Sequence, residues 1–153
     1  MQARQQHPFS YYAATANDAT AYPRLDGDLA ADVCIVGGGF SGISTAIFLA
    51  DRGAKVVVLE ANRVGWGASG RNGGQVNGGL QGDGRIRKTL GKAGDELIAR
   101  LWYRGHEIIE KRVERFAIAC DWRNGYVEAA VKPRHLMGLE AFAEELAGYA
   151  GGD

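Results

Sequence analysis

Cysteine and proline are both scarce, with Cys34 and Cys120 the two thiols and Pro8, Pro23 and Pro133 the three prolines in 153 residues. The cysteines share no C-x-x-C or Cys/His spacing, so neither a disulfide framework nor a zinc site is indicated, and no metal ligand is assigned. That usage fits a reducing, cytoplasmic setting. Net charge is also missing: Lys+Arg 18 against Asp+Glu 18 gives a formal balance of zero, which leaves no basic field to attract nucleic acid or an anionic membrane. No apolar run approaches the ~20 residues of a membrane span. The polar stretch from Met1 to Ala21 has no apolar centre of the signal-peptide kind. We therefore expect no nucleic acid and no integral membrane association, and the oligomeric state stays open.

Glycine is what the chain has in excess, with 23 residues, against a typical share of ~7%. The length is that of one domain. Residues 1–31 are polar, broken by Pro8 and Pro23, and without periodicity, which reads as an extended lead-in arm. From Asp32 the pattern changes. Val33 to Val36 form a continuous apolar run ending in Gly37-Gly38-Gly39, as expected for a parallel strand buried on both faces. Ile43, Ala46, Ile47, Leu49 and Ala50 follow at helical spacing over 41–52, and Val56 to Leu59 make a second apolar run that ends at Glu60. A right-handed crossover of this βαβ unit brings the first turn and the end of the second strand to the same sheet edge. The fold class is therefore α/β, with a Rossmann-like unit.

Residues 63–84 are too rich in glycine for a stable helix or a central strand and read as a long loop. Apolar residues from Leu97 to Phe116 recur at helical intervals, giving a long amphipathic helix over 95–116 whose Arg and Lys residues form a solvated face. Residues 120–131 read as a β-hairpin around Asn124-Gly125, and a further helix follows Pro133. The expected divisions are an arm over 1–31, the βαβ unit with its glycine loop over 32–93, and a helix-hairpin-helix part over 94–153.

The turn after the first strand satisfies G-x-G-x-x-G through Gly37, Gly39 and Gly42. The first glycine makes the tight turn, the second lets the backbone approach a pyrophosphate, and the third lets helix and strand pack closely. Main-chain amides from Gly39 through Phe40 and Ser41 to Gly42 open the helix, whose positive dipole end favours an anion. Glu60 lies 23 positions after Gly37, where a carboxylate accepts ribose hydroxyls and repels a 2′-phosphate, so FAD or NAD is favoured over NADP. His7, His106 and His135 are scattered and read as structural or surface groups. Cys34 and Cys120 read as small buried hydrophobes, and Trp66, Trp102 and Trp122 as core or interface residues.

Two segments carry a family resemblance: residues 31–42 (ADVCIVGGGFSG) and, more specifically, residues 58–75 (VLEANRVGWGASGRNGGQ). They resemble the N-terminal part of FAD-dependent amine oxidases of the D-amino-acid oxidase and glycine oxidase superfamily, with the nearest likeness to the gamma-glutamylputrescine oxidase type. The resemblance implies FAD, with its pyrophosphate on the first turn, its ribose at Glu60, and residues from Ala61 to Gln75 beneath the flavin side. In that frame Ser69 donates to a phosphate oxygen, Arg63 and Arg71 offset phosphate charge, and Gly67 and Gly74 let main chain approach. Asn72 and Gln75 are candidates for amide contacts near the flavin ring. The implied reaction oxidises an amine, such as a gamma-glutamylputrescine-like compound or an amino acid, to an imine, with oxygen giving hydrogen peroxide. The cofactor carries that chemistry, so no catalytic residue is assigned.

Enzymes of the resembled type have much longer chains, so the sequence reads as an N-terminal fragment, incomplete relative to the family. A non-catalytic product with weak or no dinucleotide binding is the alternative reading, and an NAD-dependent dehydrogenase is a third.

Overall fold

The structure, a computed structural model, describes residues 9–17, 20–77, 82–125 and 127–150. The chain divides into two compact units, Met1–Gln75 and Val76–Asp153.

The first unit opens with a single helical turn, α1 (Tyr11–Ala14), inside the segment expected to be extended. Ser10 explains it, because its hydroxyl accepts from the Ala13 N–H at 3.2 Å and supplies the cap that a short helix needs. Residues 20–31 carry no regular element. Strand β1 (Val33–Val36), helix α2 (Phe40–Ala50) and strand β2 (Val56–Leu59) follow in the expected order. The strands pair in parallel, Val33 opposite Val56 through Val36 opposite Leu59. Each end of the ladder is tied: the Gly37 N–H donates to the Leu59 carbonyl at 2.8 Å, and the Lys55 N–H to Asp32 Oδ2 at 2.8 Å.

Burial of β1 departs from expectation. Val33 and Ile35 are half-buried, whereas Cys34 is exposed and Val36 is 86% exposed. Successive side chains of a strand point to opposite faces, and α2 covers the face that carries Ile35. Cys34 is therefore not the buried hydrophobe expected of it. Cys120, in the second unit, is exposed as well.

In the second unit the long helix is α4 (Lys92–Arg115), close to its expected span, and it is preceded by α3 (Asp83–Leu90), which begins at the end of the expected loop and was not foreseen. Asp83 in the first turn suits the helix dipole, and Arg87 pairs with Asp95 at 2.8 Å across the α3–α4 corner. At that corner Gly94 is buried, and a Cβ on it would meet the Ile86 carbonyl oxygen at 2.8 Å. Ile98, 1% exposed, is the hydrophobic core residue beside it on α4. His106 joins the start of the unit to α4: its Nε2 lies 2.6 Å from the Val76 carbonyl oxygen and its Nδ1 lies 3.0 Å from that of Trp102. The solvated face of α4 is as expected. There Arg104 contacts Glu107 at 2.6 Å, and this hydrogen bond, with the charge of Lys111, holds the Glu107 carboxyl below its ordinary range.

The expected hairpin over 120–131 is not formed among the described residues, and the sheet has two strands. Val127 and Val131 are 93% and 83% exposed, so strand pairing would find no apolar face to cover. The Asn124 side chain instead donates to Glu110 Oε1 at 3.0 Å. A 3₁₀ turn at Pro133–His135 leads into α5 (Leu136–Ala150), the expected final helix. Among the described residues no helix is long and apolar enough to cross a membrane.

Two glycines of α4 should respond in opposite directions. Gly94→Ala is expected to cost about 1–3 kcal/mol by forcing α3 from α4. Gly105→Ala, with nothing within 4 Å of the new methyl, should gain about 0.5–1 kcal/mol. Urea midpoints of the helical circular-dichroism signal test the pair.

Candidate dinucleotide site

The site grows from the turn between β1 and α2. Gly37 has φ +105, a conformation that side chains other than glycine's adopt only with strain. Gly39 is the N-cap of α2, and its carbonyl accepts the first helical bond from Ile43 at 2.9 Å. A Cβ on Gly42 would overlap the Gly37 carbonyl oxygen, so the third glycine is required by close packing of helix on turn. The three glycines of the motif thus have three separate mechanical causes.

Glu60, at the end of β2, reaches this turn. Its Oε2 accepts the Gly38 N–H at 2.7 Å, and its Oε1 accepts the Asn62 N–H at 2.9 Å. Gly38 is buried, and a Cβ there would press on the Glu60 side chain at 3.3 Å. The carboxylate is therefore oriented by main chain on both sides and lies at the same sheet edge as the open end of α2.

A second glycine turn closes on the first. The Gly65 N–H donates to the Gly38 carbonyl at 3.0 Å, and the Phe40 N–H donates to Ser69 Oγ at 2.9 Å. Ser69 thus accepts from a terminal amide of α2, and its hydroxyl keeps a hydrogen of its own to donate. Gly65 and Gly70 repeat the relation of Gly37 and Gly42, five residues apart in both cases, because a Cβ on Gly70 would overlap the Gly65 carbonyl oxygen. These cross-loop bonds span 29 positions for Phe40 and Ser69, and composition gives no signal for them.

Gly37, Gly39, Phe40, Gly42, Glu60 and Ser69 are accordingly brought together. Ser41 is exposed on the first turn of α2, where its carbonyl accepts from Thr45 Oγ1 at 2.8 Å. Arg63, Gly74 and Gln75 are exposed. Arg71 turns back on its own loop, donating from Nε to the Gly67 carbonyl at 3.1 Å with its guanidinium 5.4 Å from the Trp66 ring centroid. Asn72 donates to the Ser69 carbonyl at 2.9 Å and accepts from the Gly74 N–H at 2.9 Å, so it shapes the 3₁₀ turn Ala68–Gly70. Exposed Ala61 borders a cavity of about 670 Å³, lined also by Val58, Glu60 and Val64 and, from the arm, by residues 22–25. That arm wall was not foreseen. Its sequence signal is slight: apolar Tyr22 and Leu25 flank Pro23 within an otherwise polar stretch.

The contact between the turns yields a double-mutant test. A Cβ on Gly39 would lie 2.9 Å from Ser69 Oγ but 3.8 Å from Ser69 Cβ. Ser69→Ala should cost about 1 kcal/mol for the lost hydrogen bond, and Gly39→Ala about 1–3 kcal/mol. In the Ser69→Ala background Gly39→Ala should cost less, giving a coupling of at least about 0.5 kcal/mol in a denaturation cycle. Additive losses would refute the contact.

Residues 32–152 match the model of the DAO family, described as FAD dependent oxidoreductase. The chain is 43% identical over 136 residues to Gamma-glutamylputrescine oxidoreductase of Escherichia coli (strain K12), covering 88% of this chain and 32% of that protein. It is 41% identical over 147 residues to Probable oxidoreductase OrdL of Haemophilus influenzae, covering 94% of this chain and 33% of that protein. The chain thus spans about a third of the length of these relatives. No solved structure matches it. A family match over residues 32–152, with the glycine turn, the oriented acid and the second glycine loop inside it, establishes that the chain belongs to the DAO family of FAD-dependent oxidoreductases.

Proposed function

We propose that this chain supplies the part of a cytoplasmic amine oxidase that holds the nucleotide end of FAD. The substrate class is a gamma-glutamylputrescine-like amine or an amino acid, with oxygen as the acceptor. The observation that carries the reading is Glu60 Oε2 at 2.7 Å from the Gly38 amide, which joins the turn and the acid into one nucleotide-sized edge. The residues present fit the group: no Cβ stands at Gly39, and the first turn of α2 with the Ser69 hydroxyl beside it would together hold the pyrophosphate. Ser69 donates its hydroxyl to a phosphate oxygen, and exposed Arg63 adds positive charge from the same loop, while Arg71 is engaged with the Gly67 carbonyl. Glu60 accepts ribose hydroxyls and repels a 2′-phosphate.

When bound, FAD supplies a two-electron oxidation in which an amine loses two hydrogens to become an imine while oxygen becomes hydrogen peroxide. The protein's own contribution in this chain is to bind and orient. Identity with the Escherichia coli Gamma-glutamylputrescine oxidoreductase supports the amine class, and the DAO match supports FAD over NAD.

Titration of the purified chain with FAD, NAD and NADP, followed by flavin fluorescence and calorimetry, tests the binding half. FAD should bind and NADP should not. Glu60→Gln sets an amide NH₂ against one of two N–H donors and removes a charged acceptor, worth about 1.5–3 kcal/mol, so FAD affinity should fall roughly 10- to 150-fold. An unchanged affinity would sink the reading. Peroxide release from the FAD complex with gamma-glutamylputrescine, other amines or amino acids would support the substrate class, and release with a substrate that is neither an amine nor an amino acid would overturn it.

A further inference from the structure

We infer that His106 is held as an imidazolium, a cationic clip that ties Val76 to α4 in acid and slackens as the pH rises. The clip lies within the second unit and does not depend on the FAD reading. The ring is half-buried, with Nε2 2.6 Å from the Val76 carbonyl oxygen and Nδ1 3.0 Å from the Trp102 carbonyl oxygen. A carbonyl oxygen can only accept, so each ring nitrogen must donate to make its bond. The neutral ring has one N–H, and either tautomer sets a lone pair against a carbonyl oxygen. Turning the ring over about its bond to Cβ would present carbon at both places. Only the charged ring satisfies both contacts.

The two bonds do different work. Trp102 sits one turn before His106 on the same helix, whereas Val76 is 30 positions away and outside helices and strands. The shorter bond is the one that fastens a distant segment. Among the described residues no carboxylate pairs with the ring. On α4 its neighbours are the Trp102 ring, 6.4 Å away between centroids, exposed Tyr103, and Glu110, which accepts from Asn124 at 3.0 Å. The charged groups of α3 meet α4 at the Arg87–Asp95 pair, about three turns before His106. After α4, Asp121 is exposed and Arg123 donates to the Trp122 carbonyl at 3.0 Å. Val76 and Asn77 bring no charge. The carbonyl oxygens are therefore what favour the charged ring. Stability contributed by the clip is full in acid and is lost as the pH rises through the range where histidine gives up its proton.

The test compares the full chain with His106→Gln, whose amide is neutral at every pH. Urea unfolding of both, followed by helical circular dichroism, is run on either side of histidine ionisation, at about pH 5.5 and about pH 8.5. The wild-type to variant ratio of folding constants should be about tenfold larger at the lower pH, as expected for one hydrogen bond from a charged group. On the wild type alone, the carbonyl-carbon NMR signals of Val76 and Trp102 should move to lower field in acid, the direction of stronger hydrogen bonding. That second measurement needs no variant, so it decides the matter even where His106→Gln does not fold. A ratio that is the same at both pH values overturns the clip, and so do carbonyl signals that ignore pH or move to higher field in acid.

Discussion

A carboxylate that accepts main-chain N–H groups from two different loops is first of all a structural part. Glu60 receives Gly38 from the turn after β1 and Asn62 from the segment after β2, at 2.7 and 2.9 Å. Hydrogen bonds to an ionised acceptor are stronger than neutral ones, and here they hold the charge at a fixed place on the sheet edge. This side chain, with the Gly37 N–H bond to the Leu59 carbonyl, ties the first turn to the end of β2. On the proposed reading, a nucleotide would meet an acceptor already held in place by the main chain, which lowers the ordering cost of binding.

The same economy of side chains governs the turns around it. Where backbone must come close to backbone, as at Gly42 and Gly70, the sequence removes the Cβ and lets main chain meet main chain directly. Ser69 is the exception, since its hydroxyl both accepts from α2 and extends the polar surface of the cradle. In the second unit close approach serves another end, because Gly94 lets α3 lie against α4 beside the buried Ile98. Glycine excess in this protein therefore has two causes, close packing of turns in the first unit and helix packing in the second.

Much of the first unit was legible in sequence because each of its signals is local. The apolar runs at Val33–Val36 and Val56–Leu59, the helical spacing between them and the glycines at fixed offsets all act within a few residues. The failures have physical reasons as well. The Asn124-Gly125 pair favours a turn but cannot supply the apolar face that a hairpin needs, and Val127 and Val131 remain in solvent. Helix α3 was hidden because Gly82 and Gly84 suggested loop, while its support comes from Arg87 reaching Asp95, eight residues on. Cys34 looked buried because a continuous apolar run does not tell how many faces of a strand are covered. The bonds that join residues 38–40 to residues 65–69 depend on tertiary approach, which a pattern of single residues does not encode.

The paired glycines at 37 and 42, and at 65 and 70, make two loops of like build whose amides are cross-connected. Neither can relax outward without pulling on its counterpart, so thermal softening should reach both together. On the proposed reading, a phosphate would then meet the two turns as one socket, complete or absent.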